Sequence, residues 1–176
     1  MKLKEFQQIL KNNNIDYTIL FNHPNKQDPN FQYFSNINSI FACLVIPKQG
    51  TPKLFASIIE VDIARKTSII KDVITITKDL YEQIRKNYHG KKIGLNYNYI
   101  SLNGIKRLKK EFKSSKFVDI SKELEQLRIT KIKKEIEYTK KSCSLISKIL
   151  TDTINNFSKF KTEIDVKEYV ESKVKK

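Results

Sequence analysis

The sequence predicts an α/β fold, in which a mixed β-sheet is covered by helices and followed by a C-terminal helical extension. Up to about residue 128, short apolar runs rich in β-branched and aromatic residues alternate with amphipathic segments of helical period. Two of these runs flank the sequence KQGTP, which favours a hairpin turn within the sheet. Beyond residue 132 the apolar residues recur at steps of three and four, which indicates helix alone.

The first elements are a helix, a strand and an aromatic turn. Residues 2–13 carry an apolar helical face that ends at three consecutive asparagines, and Ile15–Asn22 is rich in strand-forming residues. His23–Asn30 contains two prolines and is predicted to be an irregular loop. Phe31–Asn36 is predicted to be a short aromatic turn.

The central strand is predicted at Ile40–Pro47, which is almost continuously apolar and is therefore expected to be covered on both faces. The turn Lys48–Pro52 leads to its partner, Lys53–Ser57, and a short helix follows at Glu60–Lys66. The remaining elements alternate: strands at Val73–Thr77, Lys92–Leu95 and Phe117–Ile120, and helices at Lys78–Tyr88, Ser101–Phe112 and from a Ser121 cap onward. Leu102 is expected on the apolar face of its helix.

The extension is predicted to be one helix at residues 132–157 and a second at 163–174. The first carries an apolar stripe formed by Ile136, Cys143, Ile146, Leu150, Ile154 and Phe157. Burying each large apolar side chain is worth roughly 1.5–3 kcal/mol, so the stripe is expected to be covered. The cover is the α/β domain, a second copy or a partner chain, and association is favoured because contiguous apolar patches mark interaction sites.

The net charge of +15 points first to nucleic acid, but the kind of cation argues against it. There are 30 Lys and only 4 Arg, spread along the chain, whereas Arg is favoured for bidentate phosphate and base contacts. The sequence has no run of 18 or more apolar residues, so no membrane contact is predicted. Its N-terminus lacks the features of a secretory signal, and a cytoplasmic location is therefore expected.

Residues suited to a catalytic or metal centre are scattered. The only histidines are His23 and His89, and the four glycines form no phosphate-binding loop. Cys43 and Cys143 lack the spacing of a zinc site or a disulfide framework and are expected to be small core residues. The sequence therefore assigns no catalytic residue and no metal ligand.

Two stretches carry a resemblance to a known family. Leu127–Cys143 reads LRITKIKKEIEYTKKSC and is similar to the signature that joins the two domains of the creatinase, aminopeptidase P and prolidase family. The matching positions are Arg128, Lys131, Glu135, Ile136 and Lys140, with Thr162-Glu163 opening the next helix. Pro29–Asn36 reads PNFQYFSN and resembles the family pattern Pro-Asn-x-x-Tyr-Leu-Thr/Ser-Gly, with Phe34 replacing Leu and Asn36 replacing Gly. The resemblance covers essentially the whole chain.

The resemblance implies a creatinase N-terminal-like, ribonuclease H-like α/β domain at residues 1–128. It also implies that residues 129–176 are a helical segment like the start of the family's pita-bread metallopeptidase domain. Family members hydrolyse peptide bonds before proline with two divalent metal ions, such as manganese or cobalt, held by Asp, His and Glu of that domain. The sequence stops before such a ligand set, so no cofactor is expected in this chain and the chain alone is expected to be inactive.

The resemblance also suggests a role for the loop after the first strand, which in the family can reach toward the active site of a neighbouring subunit. His23 and Tyr33 are accordingly the candidates for binding substrate in trans. Each has an alternative: a lone loop histidine is commonly just solvated, and the aromatic run around Tyr33 suits a plug under the sheet edge.

The function implied is that of the N-terminal, non-catalytic portion of an Xaa-Pro dipeptidase or aminopeptidase P-like metallopeptidase. Its work would be to mediate subunit contacts and shape the active-site entrance. The partners expected are further copies of the chain or a separate chain that carries the catalytic half. Two alternatives stay open: a catalytically inactive protein- or peptide-binding module of the same family, and a basic nucleic-acid-binding protein.

Overall fold

The computed structural model describes residues 2–38, 40–77 and 79–174. Contacts within the chain group the residues into two compact units, which divide between Thr130 and Lys131. The first unit holds a β-sheet with its helices, and the second is helical. The predicted fold class is therefore confirmed.

One mixed sheet, formed by six strands in the described part of the chain, organises the first unit. The strands are β1 (Tyr17–Asn22), β2 (Ala42–Pro47), β3 (Lys53–Ser57), β4 (Asp72–Ile76), β5 (Lys92–Leu95) and β6 (Lys116–Asp119). Their order is β4-β3-β2-β1-β5-β6, and β2 runs antiparallel to both of its neighbours while the other pairs are parallel. The carboxyl ends of the strands other than β2 therefore meet at one edge of the sheet.

Helices cover both faces of this sheet. They are α1 (Leu3–Asn12), α2 (Pro29–Ser35), α3 (Val61–Thr67), α4 (Leu80–Asn87), α5 (Leu102–Glu111) and α6 (Ser121–Ile129). One apolar layer, which includes Phe6, Phe34 and Leu44, joins the sheet to α1, α2, α3 and α6. A second layer, which includes Val45 and Tyr81, joins it to α4 and α5. Leu44 and Val45 belong to different layers because successive strand side chains point to opposite faces.

The central strand and its hairpin are confirmed. Every residue of β2 is buried, as expected for a strand that is covered on both faces. β2 and β3 pair antiparallel, with Ala42 opposite Ala56 and Val45 opposite Lys53. Gly50 in the connecting turn has φ +95°, a conformation that glycine adopts without a steric penalty.

The predicted turn at Phe31–Asn36 is wrong, because these residues lie largely in helix α2. Asp28 caps this helix: its carboxylate accepts the backbone N–H of Asn30 at 2.8 Å, and Pro29 occupies the first turn. Asn36 ends the helix with φ 61°, so it takes the left-handed conformation for which the family pattern has glycine. The cap and the proline stabilise a helix that the aromatic composition alone does not indicate.

Sequence patterns also predict the starts of α4, α5 and α6. Ser121 does not cap α6 but is its first residue, and its N–H is bound by the Asp119 carboxylate at 2.9 Å. Leu102 is 78% exposed, because it begins α5 outside the face that the later turns of the helix bury. Lys78, the predicted start of α4, lies outside the described residues.

The second unit is a pair of helices. Its elements are α7 (Lys133–Asn155), a short 3-10 turn (Phe157–Lys159) and α8 (Glu163–Val174). Asp152 on α7 links the two helices, since its carboxylate accepts the Tyr169 hydroxyl at 2.7 Å and pairs with the Lys173 ammonium at 3.1 Å. No helix in the described ranges of the chain is long and apolar enough to cross a membrane.

The apolar stripe predicted on α7 is exposed. The side chains of Ile136, Ile146, Leu150, Ile154 and Phe157 are 44–66% exposed. Cys143 on the same face is also exposed, so it is not the core residue predicted, whereas Cys43 is buried in the sheet. The helical period identifies the face correctly, but it does not say whether another surface covers it. These six exposed residues are called the α7 stripe below.

Asp16 joins three segments just before β1. Its carboxylate pairs with the Lys48 ammonium at 2.7 Å and accepts the backbone N–H groups of Lys91 at 2.9 Å and Lys92 at 3.1 Å. The bond from Lys48 is the largest cause that holds the pKa of Asp16 below its ordinary value of 3.8. The ionised form of Asp16 therefore stabilises the first unit.

Asp16→Asn is expected to lower the free energy of unfolding at neutral pH by about 1–2 kcal/mol, because the charged acceptor is lost. A carboxyl whose pKa is lower in the folded state stabilises the fold above its unfolded-state pKa and loses that effect as pH falls through the folded-state value. The difference between wild type and variant should therefore shrink below pH 3.8. Denaturant melts at several pH values measure it, with the exposed Asp62→Asn as control. A difference that is independent of pH would contradict the assignment.

Candidate functional site

A buried polar network lies where β1 ends and α2 begins. Asp28 is 1% exposed, and its carboxylate accepts the backbone N–H of Asn30 (2.8 Å), the side-chain amide of Asn30 (3.0 Å) and that of Asn96 (3.0 Å). Burial, the largest influence, raises the pKa of Asp28, and these hydrogen bonds oppose it. Asn22 accepts the N–H of Asp28 at 3.2 Å and donates to the Ile40 carbonyl at 2.8 Å. The network therefore fixes the loop at the ends of β1 and β5.

Arg128 extends this network to the end of α6. Its guanidinium donates to the side-chain oxygen of Asn30 at 3.3 Å, although the two residues are 98 positions apart. Arg128 belongs to the stretch LRITK and Asn30 to the stretch PNFQYFSN. The two stretches that carry the sequence resemblance therefore meet in one hydrogen-bonded cluster.

His23 is exposed directly after β1, beside this network. Its backbone carbonyl accepts the N–H of Lys26 at 2.9 Å, which closes a tight turn, and its Nδ1 accepts the N–H of Asn25 at 3.2 Å. The imidazole lies edge-on to the ring of Phe41, with the ring centres 5.9 Å apart. His23 is thus exposed, while hydrogen bonds to its backbone carbonyl and to its Nδ1 fix its position.

His23 also lines a groove of about 780 Å³ at the carboxyl edge of the sheet, which is called the edge groove. Its lining comes from the ends of β1 and β4 and from segments at the starts of β2, α4 and α5, and includes Phe21, Phe41, Tyr81, Tyr99 and Arg107. Sequence reasoning missed this groove because its residues lie on separate elements. The available signal was that most of these residues lie at the end of a strand or in the first turns of the helix that follows it, and such positions converge where parallel strands end.

Tyr33 lies apart from the edge groove. It is half-buried, and its ring is edge-on to that of Phe34, with the ring centres 5.3 Å apart. Tyr33 packs against the apolar layer under α1 and α2, whereas Phe21 and Tyr81 of the groove pack in the layer under α4 and α5. The structure therefore places His23 and Tyr33 in different surroundings. Substrate binding by either residue stays a prediction.

Side chains that could bind a metal ion are not grouped among the described residues. Across residues 2–38, 40–77 and 79–174, no three His, Cys, Asp or Glu side chains come together as ligands of one ion. His23 lines the edge groove, and His89 lies in a separate depression beside Gly90 and Lys113. These residues do not fit the two-metal centre that the resemblance implies for the family's catalytic domain.

The α/β unit matches a known protein family. A family model described as the Creatinase/Prolidase N-terminal domain matches residues 2–130, which is the extent of the sheet and its helices. No curated protein sequence matches the chain. The family assignment therefore comes from the domain model.

Solved structures share the fold. The prolidase from Pyrococcus horikoshii OT3 is 23% identical with a TM-score of 0.78, over 99% of this chain and 48% of that one. The X-Pro aminopeptidase from Thermotoga maritima MSB8 is 21% identical with a TM-score of 0.77, over 92% and 47%. The Creatinase/Prolidase N-terminal domain of an X-Pro dipeptidase from Streptococcus pyogenes is 18% identical with a TM-score of 0.58, over 71% and 97%. The chain thus spans about half the length of the first two proteins.

Proposed function

The chain belongs to the Creatinase/Prolidase N-terminal domain family, and on this premise we propose that it is the non-catalytic, N-terminal portion of an Xaa-Pro dipeptidase or aminopeptidase P-like metallopeptidase. The observation that carries the proposal is the family match over residues 2–130, which spans the α/β unit. The fold shared with a prolidase and an X-Pro aminopeptidase supports it. Hydrolysis, and divalent ions such as manganese or cobalt, belong in this proposal to a separate catalytic portion.

One role in this proposal is to shape the entrance of the active site. The buried network around Asp28 gives the loop after β1 a fixed position, which a wall of a binding site needs. His23 is exposed on this loop and Tyr33 is half-buried. His23 is therefore the better candidate for contact with a substrate that a neighbouring subunit holds.

The second role is to form subunit contacts through the α7 stripe. Its large apolar side chains are exposed, and covering them is favourable. The cover in this proposal is a second copy of the chain or the chain that carries the catalytic half. In this proposal the first unit forms part of the active-site entrance, and the α7 stripe forms the contact between chains.

The proposal predicts that the purified chain alone does not hydrolyse Xaa-Pro dipeptides when manganese, cobalt or zinc is added. The reason is that the described residues group no three metal-binding side chains. Release of free proline measures the reaction, and the prolidase from Pyrococcus horikoshii serves as the positive control. Metal-dependent cleavage by this chain, retained through purification and lost on addition of a chelator, would overturn the proposal.

A further inference from the structure

The edge groove has the size and the position of a ligand site. Its volume of about 780 Å³ falls within the roughly 300–1,000 Å³ typical of small-molecule sites. It opens at the carboxyl edge of the sheet, between the segments that begin α4 and α5, which is where ligands bind in open α/β sheets. Its residues all belong to the first unit.

Phe41 forms a fixed aromatic wall of this groove. Its backbone N–H donates to both carboxylate oxygens of Glu60, each at 3.0 Å, and the same carboxylate accepts the Ser57 hydroxyl at 2.7 Å. The Phe41 side chain is nevertheless 48% exposed. Phe21, Ile76, Leu80, Tyr81 and Ile100 continue the apolar lining. Exposing this apolar surface to water is unfavourable, so a ligand with an apolar body that covers it would gain free energy of binding.

The charged residues of the groove favour an anion. Lys26 and Arg107 line it, and the one acidic residue among its described lining is Asp79. The Asp79 carboxylate is already engaged, because it accepts the N–H of Tyr81 at 2.8 Å as the cap of α4. Arg107 lies over the Tyr81 ring, 5.1 Å from the ring centre.

Arg107 differs from the other arginines of the chain in its partners. Arg65 pairs with Asp62, Arg85 pairs with Glu111, and Arg128 donates to an asparagine oxygen. Within the described residues Arg107 makes no ion pair or hydrogen bond, and it rests on an aromatic face. A guanidinium in this setting retains its donors for a carboxylate, which it binds through two parallel hydrogen bonds.

We propose that the edge groove binds a small organic carboxylate with an aromatic or branched aliphatic body, such as the C-terminal residue of a peptide. The carboxylate pairs with Arg107, and the apolar body lies against Phe41 and Tyr81. A free phosphate ion offers no surface for these walls and fills little of the 780 Å³. The inference goes beyond the proposed function and does not depend on it, because it uses the groove of the first unit alone.

The test uses the full chain and N-acetyl-phenylalanine as the probe, with N-acetyl-phenylalanine amide and inorganic phosphate as comparisons. Titrations followed by the backbone amide signals of Tyr81, Asn103 and Gly104 should saturate with the carboxylate. The neutral amide should bind at least about tenfold more weakly, since it lacks the charge that pairs with Arg107. Phosphate should fail to displace the probe.

Two variants of α5 distinguish a specific contact with Arg107 in the groove from a general effect of positive charge on binding. Arg107→Gln should weaken binding of the probe about tenfold. Lys106→Gln removes the same charge from the preceding residue, which does not line the groove, and should leave binding unchanged. Phe41→Ala should weaken both the acid and the amide, because it removes the shared apolar contact. Circular dichroism confirms that each variant is folded.

Three results would overturn the inference. One is a titration that does not saturate up to roughly 10 mM probe, because the Kd would then be above about 10 mM and the groove would not be a specific site. Another is equal binding of the acid and the amide, and the third is an equal loss in Arg107→Gln and Lys106→Gln. Activity of the chain toward Xaa-Pro dipeptides, which tests the proposed function, has no bearing on any of them.

Discussion

Asp28→Ala is expected to lower the free energy of unfolding of the first unit by about 3–5 kcal/mol, which is a large part of the 5–15 kcal/mol that stabilises a typical domain. The carboxylate is buried and accepts hydrogen bonds from Asn30 and Asn96. Alanine leaves these buried donors without an acceptor, at roughly 1–3 kcal/mol for each unsatisfied group. It also removes the cap of α2, worth about 1 kcal/mol.

Asp28→Asn should be milder, at about 1–2 kcal/mol, for a reason specific to this site. The Asn96 side-chain oxygen is buried and has no hydrogen-bond partner among the described residues. If the Asn96 side-chain amide flips, its oxygen can accept a hydrogen bond from the new NH2 group at position 28, while the single remaining side-chain oxygen at position 28 still caps α2. The hydrogen bonds made by the side chain of residue 28 therefore survive in part in this variant, whereas Asp28→Ala removes all of them.

Denaturant unfolding monitored by circular dichroism measures both changes at neutral pH. The matched control is Asp62→Ala, because Asp62 is an aspartate whose side chain is 81% exposed and pairs with the exposed Arg65. It should change stability by less than about 0.5 kcal/mol. If Asp28→Ala is no more destabilising than Asp62→Ala, the buried network does not hold the loop, and the fixed wall proposed for the active-site entrance loses its support.

Local patterns predict most of the elements in this fold. The predicted bounds of β3, β5 and α8 are the observed ones, because turn residues or a change of period mark both of their ends. β2 is predicted to be central because it is continuously apolar, and it pairs with β1 on one side and β3 on the other. Hydrophobic period and turn chemistry are therefore sufficient to place most of the strands and helices along the chain.

The features that position the site depend on distant residues, and local patterns do not specify them. Helix α2 forms because Asp28 caps it, and that aspartate is itself fixed by Asn96, which is 68 residues away. The bond between Arg128 and Asn30 spans 98 residues. Neither local sequence indicates which distant residue it will contact. The resemblance therefore identifies the stretches around Asn30 and Arg128 without showing that they are in contact.

The edge groove requires the strand order as well. β4 lies at one end of the sheet, and β5 lies beside β1. The connection from β4 to β5 through α4 therefore passes over β3, β2 and β1. Only this crossing brings Tyr81 and Arg107 to the groove that Phe41 also lines. A sequence shows that strands and helices alternate, but it does not give the order in which the strands pair.

The α7 stripe is the basis of the second large effect. Ile146 and Leu150 are 64% and 59% exposed and lie one turn apart near the middle of the stripe. Covering both side chains is worth roughly 3–6 kcal/mol if each contributes 1.5–3 kcal/mol. We therefore expect the purified chain to self-associate with a concentration dependence that sedimentation velocity can measure.

The double change Ile146→Asp with Leu150→Asp should weaken this association by at least about 100-fold, since it removes two apolar contacts and forces two carboxylates into the interface. Ser144→Asp with Thr151→Asp is the matched control: it adds the same charge to exposed positions of α7 outside the stripe and should leave association unchanged. Both variants should keep the wild-type unfolding transition of the first unit. A wild type that is monomeric at every concentration, with α7 protected from amide exchange, would show that the stripe needs no second copy. Self-association lost equally in both variants would show that charge, rather than the stripe, controls it.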